Sequence, residues 1–136
     1  LIAWDSAGAW ATYQGGHHRS EGLELDANGR VADQLTVNAA LSLIDATVVD
    51  DPAYRAGNQL EGNARRVGSL WVNWVKPRGT LRGLELGWGL FHRGRFFQTT
   101  ANDADTRVDA FTSMDAALGY TFGRVTTRLN VSNLTN

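Results

Sequence analysis

The chain has 136 residues, of which 43% are hydrophobic and 20% charged, so it is one domain's length and too apolar for a disordered tail. Thirteen Lys and Arg against 14 Asp and Glu give a formal net charge of −1, and the basic excess that binding to nucleic acid phosphates requires is missing. With no cysteine, a disulfide framework, a thiolate zinc site and a cysteine nucleophile are excluded.

No run approaches the roughly 18 apolar residues of a membrane helix. A membrane β-strand needs only about 9–11 residues with alternate ones apolar, so the mean hydropathy of −0.28 decides nothing about a membrane. Fifteen Gly, five Trp, three Tyr and five Phe with only two Pro suit extended strands punctuated by aromatics.

In chain order, a strand end is expected over residues 1–4 and a strand over 10–27, where Leu23, Leu25 and Ala27 alternate with Glu24 and Asp26. Asn28-Gly29 reads as a tight hairpin turn into a strand over 33–47, with Val37, Ala39, Leu41 and Leu43 on one face and Asn38, Ala40 and Ser42 on the other. A long polar connection, 49–63, precedes a strand over 64–76, in which Leu70, Val72 and Trp74 oppose Ser69, Trp71 and Asn73. After a turn at Pro77-Arg78-Gly79, the strand over 82–98 sets Leu84, Leu86, Trp88 and Leu90 against Glu85, Gly87, Gly89 and Phe91. A second long loop covers 99–109. Strands over 110–122 and 125–134 form a hairpin about Gly123-Arg124, with Met114, Ala116, Leu118, Tyr120, Phe122, Leu129 and Val131 sharing one face.

The fold class expected is all-β: an antiparallel meander of about seven strands, with short turns at one end and long loops at the other. Soluble sandwiches and lipocalin-like barrels also alternate, with the apolar face inward, and a small or soluble ligand-binding or structural barrel is the alternative. Two features favour a membrane barrel: small and amide residues on the polar faces, and Trp74, Tyr120 and Phe122 beside the turns, where an interfacial girdle would lie.

Signals for site chemistry are sparse. His17 and His18 are adjacent on a strand and point to opposite faces, and His92 is remote in sequence, so no metal site is read. Asp103, Asp105 and Asp109 lack the spacing of a calcium loop, no helix follows Gly87-Trp88-Gly89 to make a dinucleotide site, and no nucleophile elbow exists. No cofactor and no enzyme activity are therefore expected. The one constellation that suits a ligand is Phe91, Arg93, Arg95 and Phe97, which unbroken parity puts on the face of Glu85, rising toward the long loops. Forked guanidiniums between aromatic rings suit an anionic, partly aromatic ligand.

Five segments taken in order, RSEGLEL (Arg19–Leu25), GNQLEGNARRVGSLWVNW (Gly57–Trp74), GLELGWGLFHRGRFF (Gly83–Phe97), DAFTSMDAALGYTF (Asp109–Phe122) and LNVSNLTN (Leu129–Asn136), resemble the C-terminal barrel strands of TonB-dependent siderophore receptors. The chain departs from that pattern at Ala64-Arg65-Arg66, where a Pro is frequent, and at Phe111, where a Tyr is usual. The resemblance implies that residues 1–136 are a partial C-terminal barrel domain, with the plug, the TonB-contacting region and a final strand outside it. It further implies a ferric siderophore as ligand, TonB and outer-membrane lipid as partners, and the bacterial outer membrane as location. Three geometric expectations accompany it. Leu41, Leu43, Leu86, Trp88, Leu118, Tyr120, Leu129 and Val131 face lipid, and Asn38, Glu85, Gly119, Arg128 and Asn130 face the lumen. Both long loops are extracellular. Glu85 and Arg128 form an ion pair over Gly119.

Overall fold

The computed structural model describes residues 2–4, 10–12 and 15–135, with side chains from residue 15 onward. Leu1 and parts of the strand expected over 10–27 lie outside the described residues. Strands β1 (Ile2–Trp4) and β2 (Trp10–Thr12) form an antiparallel pair. The main sheet contains β3 (His17–Ala32), β4 (Leu35–Asp50), β5 (Arg66–Val75), β6 (Leu84–Arg93), β9 (Phe111–Phe122) and β10 (Val125–Val131). Between β6 and β9 lie β7 (Phe96–Phe97), a single 3-10 turn (Ala104–Thr106) and β8 (Arg107–Val108), with β7 and β8 pairing as a short ribbon.

The main sheet runs β10-β9-β6-β5-β4-β3 with every neighbour antiparallel, which is the meander in chain order once the ribbon is set aside. Period two dictates this arrangement. In an antiparallel ladder directly opposed residues share a face, so Leu25↔Leu41, Leu86↔Leu118 and Leu118↔Leu129 build a continuous apolar surface. Between those positions Asp26↔Ala40, Asn28↔Asn38, Asn38↔Trp71 and Glu85↔Gly119 build a polar one.

The apolar face is the open one: Leu25 is 60% exposed, Leu118 48% and Leu129 61%, whereas Gly87, Gly89, Ala117 and Gly119 on the polar face are buried. A soluble barrel with an apolar interior shows the reverse. From Leu35 to Leu43 the apolar positions extend roughly 26 Å along β4 at about 3.3 Å per residue. A strand tilt of about 40° reduces that to about 20 Å of height, close to the roughly 25 Å apolar band of a membrane barrel. Tyr120 and Phe122 close the band at the turn end, their rings 6.3 Å apart and stacked.

The turns differ from the sequence expectation in two places. Asn28-Gly29 is not a turn: Asn28 pairs with Asn38 and Gly29 with Val37, and the chain reverses at Asp33-Gln34 after a bulge between Arg30 and Ala32. Neither Asn28 nor Gly29 adopts the positive φ that a two-residue turn of their type needs, and the apolar alternation continues through Val31. The β5–β6 connection is also longer than Pro77-Arg78-Gly79. It spans 76–83 and closes through Lys76 N–H to Leu84 O at 2.7 Å and Gly83 N–H to Lys76 O at 3.0 Å. The turn at Gly123-Arg124 stands as expected, with Gly123 at φ 60°. All three turns lie at one end of the sheet, and the connections 51–65 and 94–110 lie at the other.

Candidate functional site

The polar face is built around Trp71 on β5. Its indole lies across Gly87 and Gly89 of β6, where an added Cβ would come within 2.7 Å and 2.5 Å of the ring. The Gly-Trp-Gly triplet therefore has two functions: its glycines admit Trp71 on the polar face, while Trp88 joins the apolar band. Asp26, Asn28, Asn38, Ser69, Phe91 and Asp115 line a shallow depression together with this indole. Nearby, Asn73 Oδ1 is buried without a hydrogen-bond partner among the described residues, leaving an acceptor on the same face.

Toward the turns, Arg128 Nη1 donates to Glu85 Oε1 at 2.9 Å, across Gly119, the Cα partner of both residues. Gly119 leaves room for the pair, since a Cβ there would lie 3.2 Å from Glu85 Cβ. With Arg128 42% and Glu85 25% exposed, solvent screening limits the pair to about 0–1 kcal/mol.

Toward the long loops, the structure divides the expected ladder of Phe91, Arg93, Arg95 and Phe97. Phe91 and Arg93 share the polar face. Phe91 meets Phe111 with centroids 5.8 Å apart, and the Arg93 guanidinium lies 4.0 Å from the ring of Phe96 while donating to Gly62 O at 2.8 Å. Arg95 does not join them. Strand β6 ends at Arg93, the Gly94 N–H donates to Arg66 O at 2.7 Å, and Arg95 lines a separate cleft with His92, Arg65 and Arg66. Parity holds only while the strand is unbroken, and Gly94 breaks it. Phe97 enters the β7–β8 ribbon opposite Arg107, so Phe96 supplies the ring under Arg93. Phe111 and Phe96 were missed by the sequence reading; Phe111 has the same parity as Asp115 and Gly119, and that signal could have identified it.

Amide groups lock the two long loops together. The Gln59 N–H donates to Asn102 Oδ1 at 2.7 Å, and Asn102 Nδ2 donates back to Gln59 O at 2.7 Å as well as to Thr99 O and Thr100 O. Asn58 Nδ2 reaches Thr100 O and Ala101 O, and Gly62 N–H reaches Phe97 O. Asn102 takes φ 61°, a left-handed conformation that Asn tolerates better than most residues. At the outer end of β3, His18 Nε2 lies 3.2 Å from Asp51 Oδ2. The Ala53 N–H, 2.8 Å from the other Asp51 oxygen, holds that carboxyl below its ordinary 3.8; burial opposes this, and the His18 contact reinforces it.

Residues 1–134 match the family model described as TonB dependent receptor-like, beta-barrel. The ferrichrome outer membrane transporter/phage receptor of Escherichia coli is 29% identical over 135 residues, covering 96% of this chain and 18% of that protein. The ferrioxamine B receptor of Salmonella typhimurium is 26% identical over 128 residues, covering 89% and 18%. The crystal structure of the siderophore receptor PiuA from Acinetobacter baumannii superposes with a TM-score of 0.80 at 21% identity, over 98% of this chain and 20% of that one. The chain therefore spans about a fifth of the length of these proteins.

Proposed function

The chain belongs to the TonB-dependent receptor β-barrel family, and on that premise we propose that it is one arc of the wall of a receptor that takes up a ferric siderophore with energy relayed by TonB. The family is one of outer-membrane receptors and transporters rather than enzymes, and its place is the bacterial outer membrane. The plug, the TonB-contacting region and the strands that close the barrel belong to the rest of that receptor. An arc of six strands cannot stand alone in lipid, because the backbone groups of an open sheet edge must be paired there.

The observation that carries the reading is the division of the sheet into an exposed apolar face and a polar face that holds Phe91, Phe111 and Arg93 at the long-loop end. In a barrel the apolar face meets lipid and the polar face lines the lumen. There the Arg93 guanidinium, steadied by Gly62 O and the Phe96 ring, donates to chelate oxygens, and Phe91 with Phe111 covers apolar or aromatic parts of the ligand. An anionic chelate with aromatic groups fits this trio best. Asp26, Asn28, Asn38 and Asp115 keep the wall below it hydrated.

The test is deletion of the gene for the whole receptor, followed by growth under iron limitation on ferrichrome, ferrioxamine B or a ferric catecholate as sole iron source. Loss of growth on at least one is expected, and unchanged growth on all three overturns the reading. In the full-length receptor Arg93→Gln should weaken binding of that siderophore about tenfold or more, as expected for losing a charge-assisted hydrogen bond. Unchanged affinity removes Arg93 from the ligand site.

A further inference from the structure

The structure contains a second charged site, on the opposite side of the sheet from Arg93. Arg66 and His92 occupy apolar-face positions at the long-loop limit of the band: Arg66 is the Cα partner of Leu43, and His92 that of Gly68. Parity alone would put Arg95 on the other face. The irregularity at Gly94 brings it back, at a point where the chain runs so close to β5 that a Cβ at Gly94 would lie 3.1 Å from Arg66 O. Arg66, His92, Arg95 and Arg65 thereby line one cleft of about 370 Å³.

Charge pairing singles out two of these cations. Along this rim Arg19 pairs with Glu21 at 2.5 Å and Arg65 with Asp45 at 2.9 Å. Arg66 and Arg95 have no carboxylate within 4.0 Å among the described residues. His92 Nδ1 is engaged by Thr112 Oγ1 at 2.8 Å, which leaves its other ring nitrogen for a ligand. Two guanidiniums without a carboxylate partner and an imidazole thus line one cleft at the long-loop limit of the apolar band, a set of groups suited to an oxyanion. Guanidinium forks match phosphate oxygens in two-point geometry.

We infer that the Arg66–His92–Arg95 cleft binds a phosphate group of an outer-leaflet lipid head group. The apolar rows directly below it, ending at Leu43 and Leu90, receive the acyl chains of the same molecule. His92 and Arg93 are successive residues of β6 and face opposite sides of the sheet, so this cleft is separate from the Arg93 site. The site follows from the lipid-facing orientation of the band and is independent of which chelate the receptor carries.

Native mass spectrometry of the full-length receptor tests it, using diphosphoryl lipid A and its fully dephosphorylated form in equimolar competition. The wild-type receptor should retain the phosphorylated lipid about tenfold or more over the other. Arg66→Gln with Arg95→Gln should abolish that preference while ferric siderophore binding persists, and Arg66→Lys with Arg95→Lys should keep part of it. Equal retention of the two lipids by the wild-type receptor overturns the proposal without recourse to any variant. An unchanged preference in the folded Gln variant also overturns it. Displacement of the lipid by millimolar inorganic phosphate would make this a free-anion site and overturn the lipid assignment. Loss of siderophore binding alone bears on the lumen reading, not on this one.

Discussion

The body of the sheet and its long-loop end are held together by different forces. From Leu84 to Phe91, β6 is paired on both sides by unbroken ladders, and every side chain's face follows from its parity. Beyond Gly94, scattered backbone bonds such as those of the β7–β8 ribbon are joined by amide side chains bonding to backbone groups 42 or 43 residues away, as those of Asn58 and Asn102 do. The body has many interchangeable hydrogen bonds and a face rule that tolerates polar substitution on one side. The loop end adds to its backbone bonds a set that depends on single amide side chains. A membrane-spanning wall needs the first kind of order, and a ligand-facing rim that can be altered without disturbing the wall needs the second.

The largest effect that tests this contrast is a charge placed on the apolar face of the body. Leu118→Arg, near the middle of the Met114–Phe122 series, should destabilise the refolded full-length receptor by about 2–4 kcal/mol in bilayers, read by urea titration. Asn130→Arg, on the polar face of the neighbouring strand, should stay within about 0.5 kcal/mol. Next comes the polar face itself: Gly89→Val forces the Trp71 ring aside and should cost about 1–3 kcal/mol with a shift in tryptophan emission. At the loop end, Asn102→Ala should raise hydrogen exchange across 57–63 and 97–106, corresponding to about 1–3 kcal/mol of local stability, while the sheet amides and the global midpoint stay unchanged. Spread of that effect into β5 and β6 would break the contrast.

The smallest effect concerns pH. The Asp51 carboxyl titrates below its ordinary 3.8, so the folded state favours its ionised form. Its contribution is fully present above 3.8 and is lost as pH falls through the folded value. Protection of the Ala53 amide should therefore persist at mildly acidic pH and disappear only below 3.8, and loss near neutral pH would contradict the assignment.

What the sequence made legible divides along the same line. Period two identified both faces, the β9–β10 hairpin and the Glu85–Arg128 pair, because a ladder propagates one local rule across the sheet. The ordered segments from Arg19 to Asn136 pointed to the family that the comparisons support. Asn28-Gly29 misled because a dipeptide preference was set above an alternation that runs on to Val31 inside a 16-residue strand. Arg95 misled because parity was carried through Gly94. The Asn102–Gln59 clasp left no periodic trace, since side-chain to backbone bonds between distant loops impose no spacing on either one.

The central claim is that the face bearing Leu41, Trp88, Leu118 and Leu129 meets lipid and the face bearing Asn38, Glu85 and Asn130 meets water. Spin labels at single cysteines in the full-length receptor, reconstituted in bilayers, test this through collisions with oxygen and with a water-soluble nickel chelate. Dominant oxygen collisions at the first four positions and dominant nickel collisions at the other three are predicted. The reverse pattern, or no alternation between Glu85 and Trp88, would contradict it.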